Sequence, residues 1–198
     1  MAVFSWPSSL EPEEPQEFWI DQNVITYSSP ATGTEVVQEL PGTRWRARLS
    51  VVKLEINEAR DLEGLLTHIA RGVDSIALPD HAYPANRRDY PDTATVTGAA
   101  EAITVTLSGV TGQVWRGDRF MLGQHLYRIR GYYTPVDGVA TIGIQPRLRV
   151  AASAQVVKWT GLTCPMRLVD GKQNRPTRRV AGLSDFDIEF VEPLPFLG

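Results

Sequence analysis

The sequence predicts a mainly β protein: a β-sandwich with one packed α-helix, plus an inserted small β-barrel of SH3 or OB type. Three observations predict it. Two stretches, 44–51 and 185–190, alternate apolar and charged residues with period 2. Only one segment carries a helical stripe, formed by Leu62, Leu65, Leu66, Ile69 and Ala70. Between 93 and 162, about six short apolar runs are separated by glycine turns, the pattern of a small barrel.

Taken in order, residues 1–20 read as an acidic N-terminal arm. Pro7, Pro12 and Pro15 interrupt regular structure, and Glu11, Glu13, Glu14 and Glu17 are charged. Val24 to Tyr27 suit a short strand, followed by turn chemistry from Ser29 to Gly33. From Arg44 the alternation puts Trp45, Ala47, Leu49 and Val51 on one face and Arg44, Arg46 and Arg48 on the other. Apolar parity then shifts to Val52, Leu54 and Ile56, which predicts a bulge or a fully buried strand end. A helix is expected over 58–71, with Asn57 as N-cap, Glu58 in the first turn and Gly72 as the C-terminal stop. Ser75 to Leu78 form a short apolar run. The stretch 79–92, with Pro79, Pro84 and Pro91, reads as an exposed connecting loop and a domain boundary. Within 93–162, Gly123-Gln124 and Asp137-Gly138 are hairpin turn signals, and Val156 to Trp159 suggest a last strand. Phe186, Ile188 and Phe190 then share one face of a final strand, with Asp185, Asp187 and Glu189 on the other. The division is therefore an arm (1–20), a sandwich built from 21–92 and 163–198, and an inserted barrel (93–162).

Composition narrows the function. At 42% hydrophobic and 22% charged over 198 residues, the chain is ordinary for a globular protein. No run approaches a membrane span, and neither a basic start nor an apolar run suggests a signal peptide. Residues 93–162 carry seven basic and three acidic residues, so the insert is +4 while the whole chain is −3. That is too small a surplus to predict a nucleic-acid footprint. The lone Cys164 can form neither an intrachain disulfide nor a thiolate cluster. His68, His81 and His125 fall in different elements with no ligand spacing, and no phosphate-loop motif is present. Neither a cofactor, a metal nor an enzymatic role is expected. Arg116-Gly117-Asp118 spells an adhesion-type tripeptide, but Gly and Asp there equally suit a turn leading into Phe120.

Two sets of residues are candidates for contacts. The arginine face (Arg44, Arg46, Arg48) and the acidic face (Asp185, Asp187, Glu189) have matching spacing. They can meet as neighbouring strands, meet across subunits, or remain two unrelated solvated faces. Phe18 and Trp19 could pack on a neighbouring subunit. Tyr132 and Tyr133 straddle a strand, so one of them faces outward as a possible ligand contact or as ordinary packing.

The order of parts is distinctive. An arginine-tryptophan strand leads into one amphipathic helix, then Leu78-Pro79-Asp80. Gly117-Asp118, Leu126-Tyr127-Arg128-Ile129, Gly138 to Ile142 and Pro146-Arg147-Leu148-Arg149 follow, and Phe186 to Glu192 closes the chain. This order resembles the distal tail and related minor tail proteins of long-tailed bacteriophages, from about Arg44 onward. The individual motifs are degenerate; their order carries the resemblance. It implies a structural virion protein of the tail, assembled in the host cytoplasm, with a sandwich like that of the tail tube subunit. It implies a homo-oligomeric ring, commonly a hexamer, between the tail tube protein and the tip or baseplate hub protein, with side fibres as a further partner. The alternative expectation is a carbohydrate- or receptor-binding β module of a tail or cell-surface assembly.

Overall fold

The computed structural model describes residues 2–10, 12–40, 42–70, 74–83, 86–170, 176–178 and 183–194. Arg71, Gly72, Pro84 and Arg179 lie outside them, so the expected C-terminal stop of the helix does too. The fold is mainly β with one helix. In chain order the elements are β1 (Val3–Ser5), β2 (Glu13–Asp21), β3 (Val24–Ser28), β4 (Glu35–Glu39), β5 (Arg44–Leu54), α1 (Ile56–Ala70), β6 (Ser75–Pro79), β7 (Thr95–Gly98), β8 (Thr104–Ser108), β9 (Arg119–Leu122), β10 (His125–Ile129), β11 (Val139–Gln145), β12 (Ala152–Val156), β13 (Thr163–Leu168), β14 (Thr177–Arg178) and β15 (Ser184–Val191).

The larger sheet has the order β1-β6-β13-β15-β5-β2, with β14 beside β15. Among the described residues only β1 and β6 pair in parallel. Alternation makes this sheet one-sided: Trp45, Ala47, Leu49 and Val51 of β5 and Phe186, Ile188 and Phe190 of β15 are all buried. Helix α1 lays Ala59, Leu62, Leu66 and Ile69 on that face. It begins two residues before the expected start. Glu55 closes its N-terminus, its backbone N–H donating to Glu58 Oε2 at 3.1 Å and its carbonyl accepting from Ala59, so Asn57 is already in the first turn. The parity shift after Val51 is a bulge: Val52 and Lys53 oppose the single Asp185, and Lys53 adopts φ 57°.

The reading of residues 1–20 as an arm gives way here. Most of the segment belongs to the sheet, as β1 on one edge and β2 on the other. Trp6 and Leu10 are buried in the same core, and Trp6 Nε1–H donates to the Leu10 carbonyl at 2.7 Å. Proline is tolerated because β2 is an edge strand and its register slips across Pro15, between Glu13 and Glu17.

The second sheet, β12-β7-β8-β11-β10-β9, curls into a half-barrel around its own core of Val105, Leu107, Phe120, Tyr127, Ile142 and neighbours. Both hairpin signals hold: Leu122 pairs with His125 around Gly123, and Asp137 and Gly138, both with positive φ, turn Val136 back onto Val139. The expected last strand ends earlier, at Val156. Lys158 instead bridges to Met121, bringing the ends of the curled sheet together.

Candidate functional site

The β9–β10 hairpin is buried on both faces. Phe120, Leu122, Tyr127 and Ile129 point into the second core, whereas the cross-strand pair Met121 and Leu126 joins the first. A strand walled in on both sides reads as a continuous apolar run, which is why Phe120-Met121-Leu122 shows no alternation. Trp45 Nε1–H locks the two cores by donating to the Leu126 carbonyl at 2.7 Å.

Two buried ion pairs flank that lock. Glu192, fully buried just after β15, accepts from Arg149 Nη2 at 3.0 Å and from the Trp45 backbone N–H at 3.1 Å. His125 Nδ1 stands 3.5 Å from its other oxygen. Burial acts most strongly on Glu192 and would raise its pKa. His125, Arg149 and Trp45 together outweigh it and hold the carboxyl below its ordinary value. Arg149 also donates to the Thr43 carbonyl at 2.6 Å, and its backbone N–H donates to the Tyr127 hydroxyl, whose pKa burial pushes up to about 12. On the other flank Arg119 pairs with Asp80 at 2.5 Å, with its guanidinium over the rings of Tyr83, Trp45 and Phe18. Asn86 donates to the carbonyls of Arg119 and Trp159. The described part of 79–92 is therefore a strap bonded to the second sheet, not the exposed loop expected, and Tyr90 is buried in the second core.

The outer face of the large sheet carries the charged residues. The arginine and acidic faces meet within one chain, because β5 and β15 are antiparallel neighbours. The pairs are diagonal: Arg48, opposite Glu189, makes two bonds to Asp187 at 2.7 and 3.1 Å, and Arg46 reaches Glu189 at 3.0 Å. Arg46 also holds Asp21 of β2 at 2.7 Å, so one guanidinium ties three strands. The Asp185 carboxylate accepts from the bulged Lys53 N–H at 2.9 Å. Arg44 lies beside Asp21 in register without an ion pair among the described residues; burial, then Arg46, lowers its pKa. Phe18 packs in its own chain, tilted on Trp45 at 5.2 Å, while Trp19 sits in register with Arg46 and stays half-exposed.

Of the two tyrosines, Tyr133 is structural: its hydroxyl accepts from the Gly143 N–H at 2.8 Å and its ring packs on the second core. Tyr132 is the outward one, half-exposed under the Arg116 guanidinium and edge-on to Trp115. Asp118 of the Arg-Gly-Asp tripeptide faces inward, accepting from the Tyr90 hydroxyl at 2.6 Å. A cleft of 430 Å³ opens beside the strap, lined by Tyr83, Arg88, Asp89, Tyr90 and Trp159 among others. Trp159 Nε1–H is buried without an acceptor among the described residues.

A further exposed apolar surface lies elsewhere. Among the described residues the β3–β4 hairpin pairs with no other strand, and every described side chain of its two strands is exposed, including Ile25, Tyr27, Val36 and Val37. Cys164 is fully buried, and its surroundings push its thiol pKa well up, so it is not a reactive thiolate. No described helix is long and apolar enough to cross a membrane. Compared with known protein families and with curated protein sequences, the chain matches none.

The sequence reading missed Glu192, Arg149, His125, Arg119 and Asp80. Their pairings join residues 39 to 43 positions apart or more and follow no local period. The surplus of arginine in 93–162 was the one available signal.

Proposed function

We propose that this chain is a structural subunit of a bacteriophage tail, assembling into a homo-oligomeric ring of about six copies at the distal end, between the tube and the tip or baseplate hub. The observation that carries an assembly role is the β3–β4 hairpin. A two-stranded ribbon standing alone is marginal in water, yet this one exposes Tyr27, Val36 and Val37 at 57%, 59% and 62%. Apolar side chains on such a ribbon gain by covering a neighbour. A closed ring needs a head-to-tail contact of that kind, in which one patch meets a different surface of the next copy. The order of parts that resembles distal tail proteins supplies the context, and Trp19 and Arg44 on the outer face are candidate rim contacts. The role is assembly, not catalysis.

The test is light scattering and negative-stain imaging of the purified chain, beside a variant carrying Val36→Lys and Val37→Lys. Rings are expected from the native chain, and folded monomers from the variant because its substitutions lie outside both cores. Native chain that stays monomeric at high concentration, both alone and mixed with tube protein, overturns the reading.

The alternative, a carbohydrate-binding module, rests on the cleft. It sets the Tyr83 ring beside the carboxylates of Asp89 and Asp92. Sugar hydroxyls donate to such carboxylates. A glycan screen with the native chain and Asp89→Ala tests it: binding that the variant loses supports this reading, and the absence of any binding removes it.

A further inference from the structure

Five of the six arginines in 93–162 fall into two sets. Arg119 and Arg149 are buried against Asp80 and Glu192. Arg116, Arg128 and Arg130 instead line one shallow pocket of 340 Å³ with Gly117, Ile129 and Gln145. No carboxylate lines it, and none of these three arginines has an ion pair among the described residues.

The backbone explains why they converge. Arg128 and Arg130 are two apart and so share a face, while Ile129 between them turns into the core. The turn bearing Arg116 is bonded alongside: the Gly117 N–H donates to the Ile129 carbonyl at 2.9 Å, and the Ile129 N–H to the Asp118 carbonyl at 2.8 Å. Asp118, the acid nearest in sequence, could have neutralised the patch, but its carboxylate is spent inward on Tyr90 and the Arg87 N–H. Gly117 leaves the mouth open, since a Cβ there would meet nothing within 4 Å. Burial first, and then repulsion from Arg119 and Arg130, lowers the Arg128 pKa. An arginine nevertheless stays charged.

We propose that this pocket binds a phosphate monoester or inorganic phosphate dianion. Guanidinium forks match both carboxylate and phosphate, and the charge count decides between them. A carboxylate brings one negative charge to three crowded cations. A phosphate monoester brings about −1.5 to −2 at neutral pH, and three oxygens to share among them. Gln145 gives its Oε1 to Arg128 at 3.2 Å, which leaves its amide NH₂ as a further donor. The exposed Tyr132 ring beneath Arg116 offers a flat apolar neighbour for whatever carries the phosphate.

The experiment is calorimetric titration of the full chain at low ionic strength with inorganic phosphate, glucose 1-phosphate and acetate. The variants are Arg128→Gln, Arg130→Gln and, as a control on the other sheet, Arg167→Gln. Both phosphates should bind about tenfold or more tightly than acetate, and each pocket variant should weaken them by a similar factor, the loss of one charge-assisted hydrogen bond. The control should not change. Binding of glucose 1-phosphate should strengthen from pH 5 to pH 7 as the monoester loses its second proton, around pH 6. Arg130 is exposed, so its variant keeps the test valid if Arg128→Gln folds poorly. Equal affinity for the two phosphates identifies a free-ion site; tighter glucose 1-phosphate that Tyr132→Ala weakens identifies a phosphosugar site. Absent binding, acetate bound as tightly as phosphate, or an Arg130→Gln variant that binds like the native chain overturns the proposal.

Discussion

Among single residues, Glu192 is the most exacting position in the molecule. It has no exposed surface, and its carboxylate is held by Arg149, Trp45 and the nearby His125. Removing either partner of a buried pair leaves the other charged and unpaired, at a cost of about 3–5 kcal/mol. Glu192→Ala and Arg149→Ala should each destabilise by that amount in denaturant titrations. Glu192→Leu combined with Arg149→Met should recover most of the loss, because apolar replacement of both partners is often neutral. The pH dependence follows from the same contacts. The folded carboxyl titrates below its ordinary 4.5, so the unfolded chain takes up the proton first. The stabilisation is thus complete above that value and is lost as pH falls through the lower, folded one. Melting temperature should drop for the native chain below about pH 4.5, and the Glu192→Gln curve should be flatter there. Parallel curves would assign acid sensitivity to another group. None of this was legible in the sequence. Glu192-Pro193 reads only as the end of a strand, and Arg149 finds its carboxylate 43 positions away.

Secondary-structure elements were far more legible, because period and turn chemistry are local. The inward faces of β5 and β15, the bulge at Lys53 and both glycine hairpins follow from residues within a few positions of each other. The opposed charges of β5 and β15 also have a local origin, and the structure resolves their geometry as diagonal pairs within one chain. Residues 1–20 were misread because proline was weighed as a strand breaker without knowing that β2 is an edge, where a missing N–H removes no ladder bond. The loop 79–92 was misread because its prolines read as an exposed connection, whereas Asp80 and Asn86 find their partners on the second sheet, far away in sequence. Exposure separates the two arginine clamps. The Arg48 and Asp187 side chains are 57% and 58% exposed, so solvent screens their bond. Arg46 is 24% exposed and joins β2, β5 and β15. Arg46→Met should cost about 1 kcal/mol and speed amide exchange in Phe18 to Asp21. Arg48→Met should leave the melting midpoint within error. Equal effects from the two would mean that spanning three strands confers nothing.

For the whole molecule, the question is whether the two sheets are separable. The charge and turn patterns that delimit 93–162 suggest that they are. The packing opposes it. Met121 and Leu126 leave the second sheet to fill the first core, Trp45 of the first sheet bonds to Leu126, and Asp80 and Glu192 neutralise arginines of the second. The strap brings Tyr90, from outside 93–162, into the second core. Excising 93–162 would expose the apolar pair and leave Arg119 and Arg149 without their carboxylates, and each such loss is comparable with a sizeable share of a domain's total stability. The intact chain should therefore unfold in one transition, with calorimetric and van't Hoff enthalpies that agree. Tryptophan fluorescence, which samples Trp45 in one core and Trp159 in the other, should trace the same curve as far-UV circular dichroism. The isolated 93–162 fragment should be unfolded or aggregated. Two resolved transitions, or a fragment with native amide dispersion, would show that the β9–β10 wall couples the cores less tightly than its burial implies. A single transition would show that Trp45, Glu192 and the β9–β10 wall join the two cores into one cooperative unit.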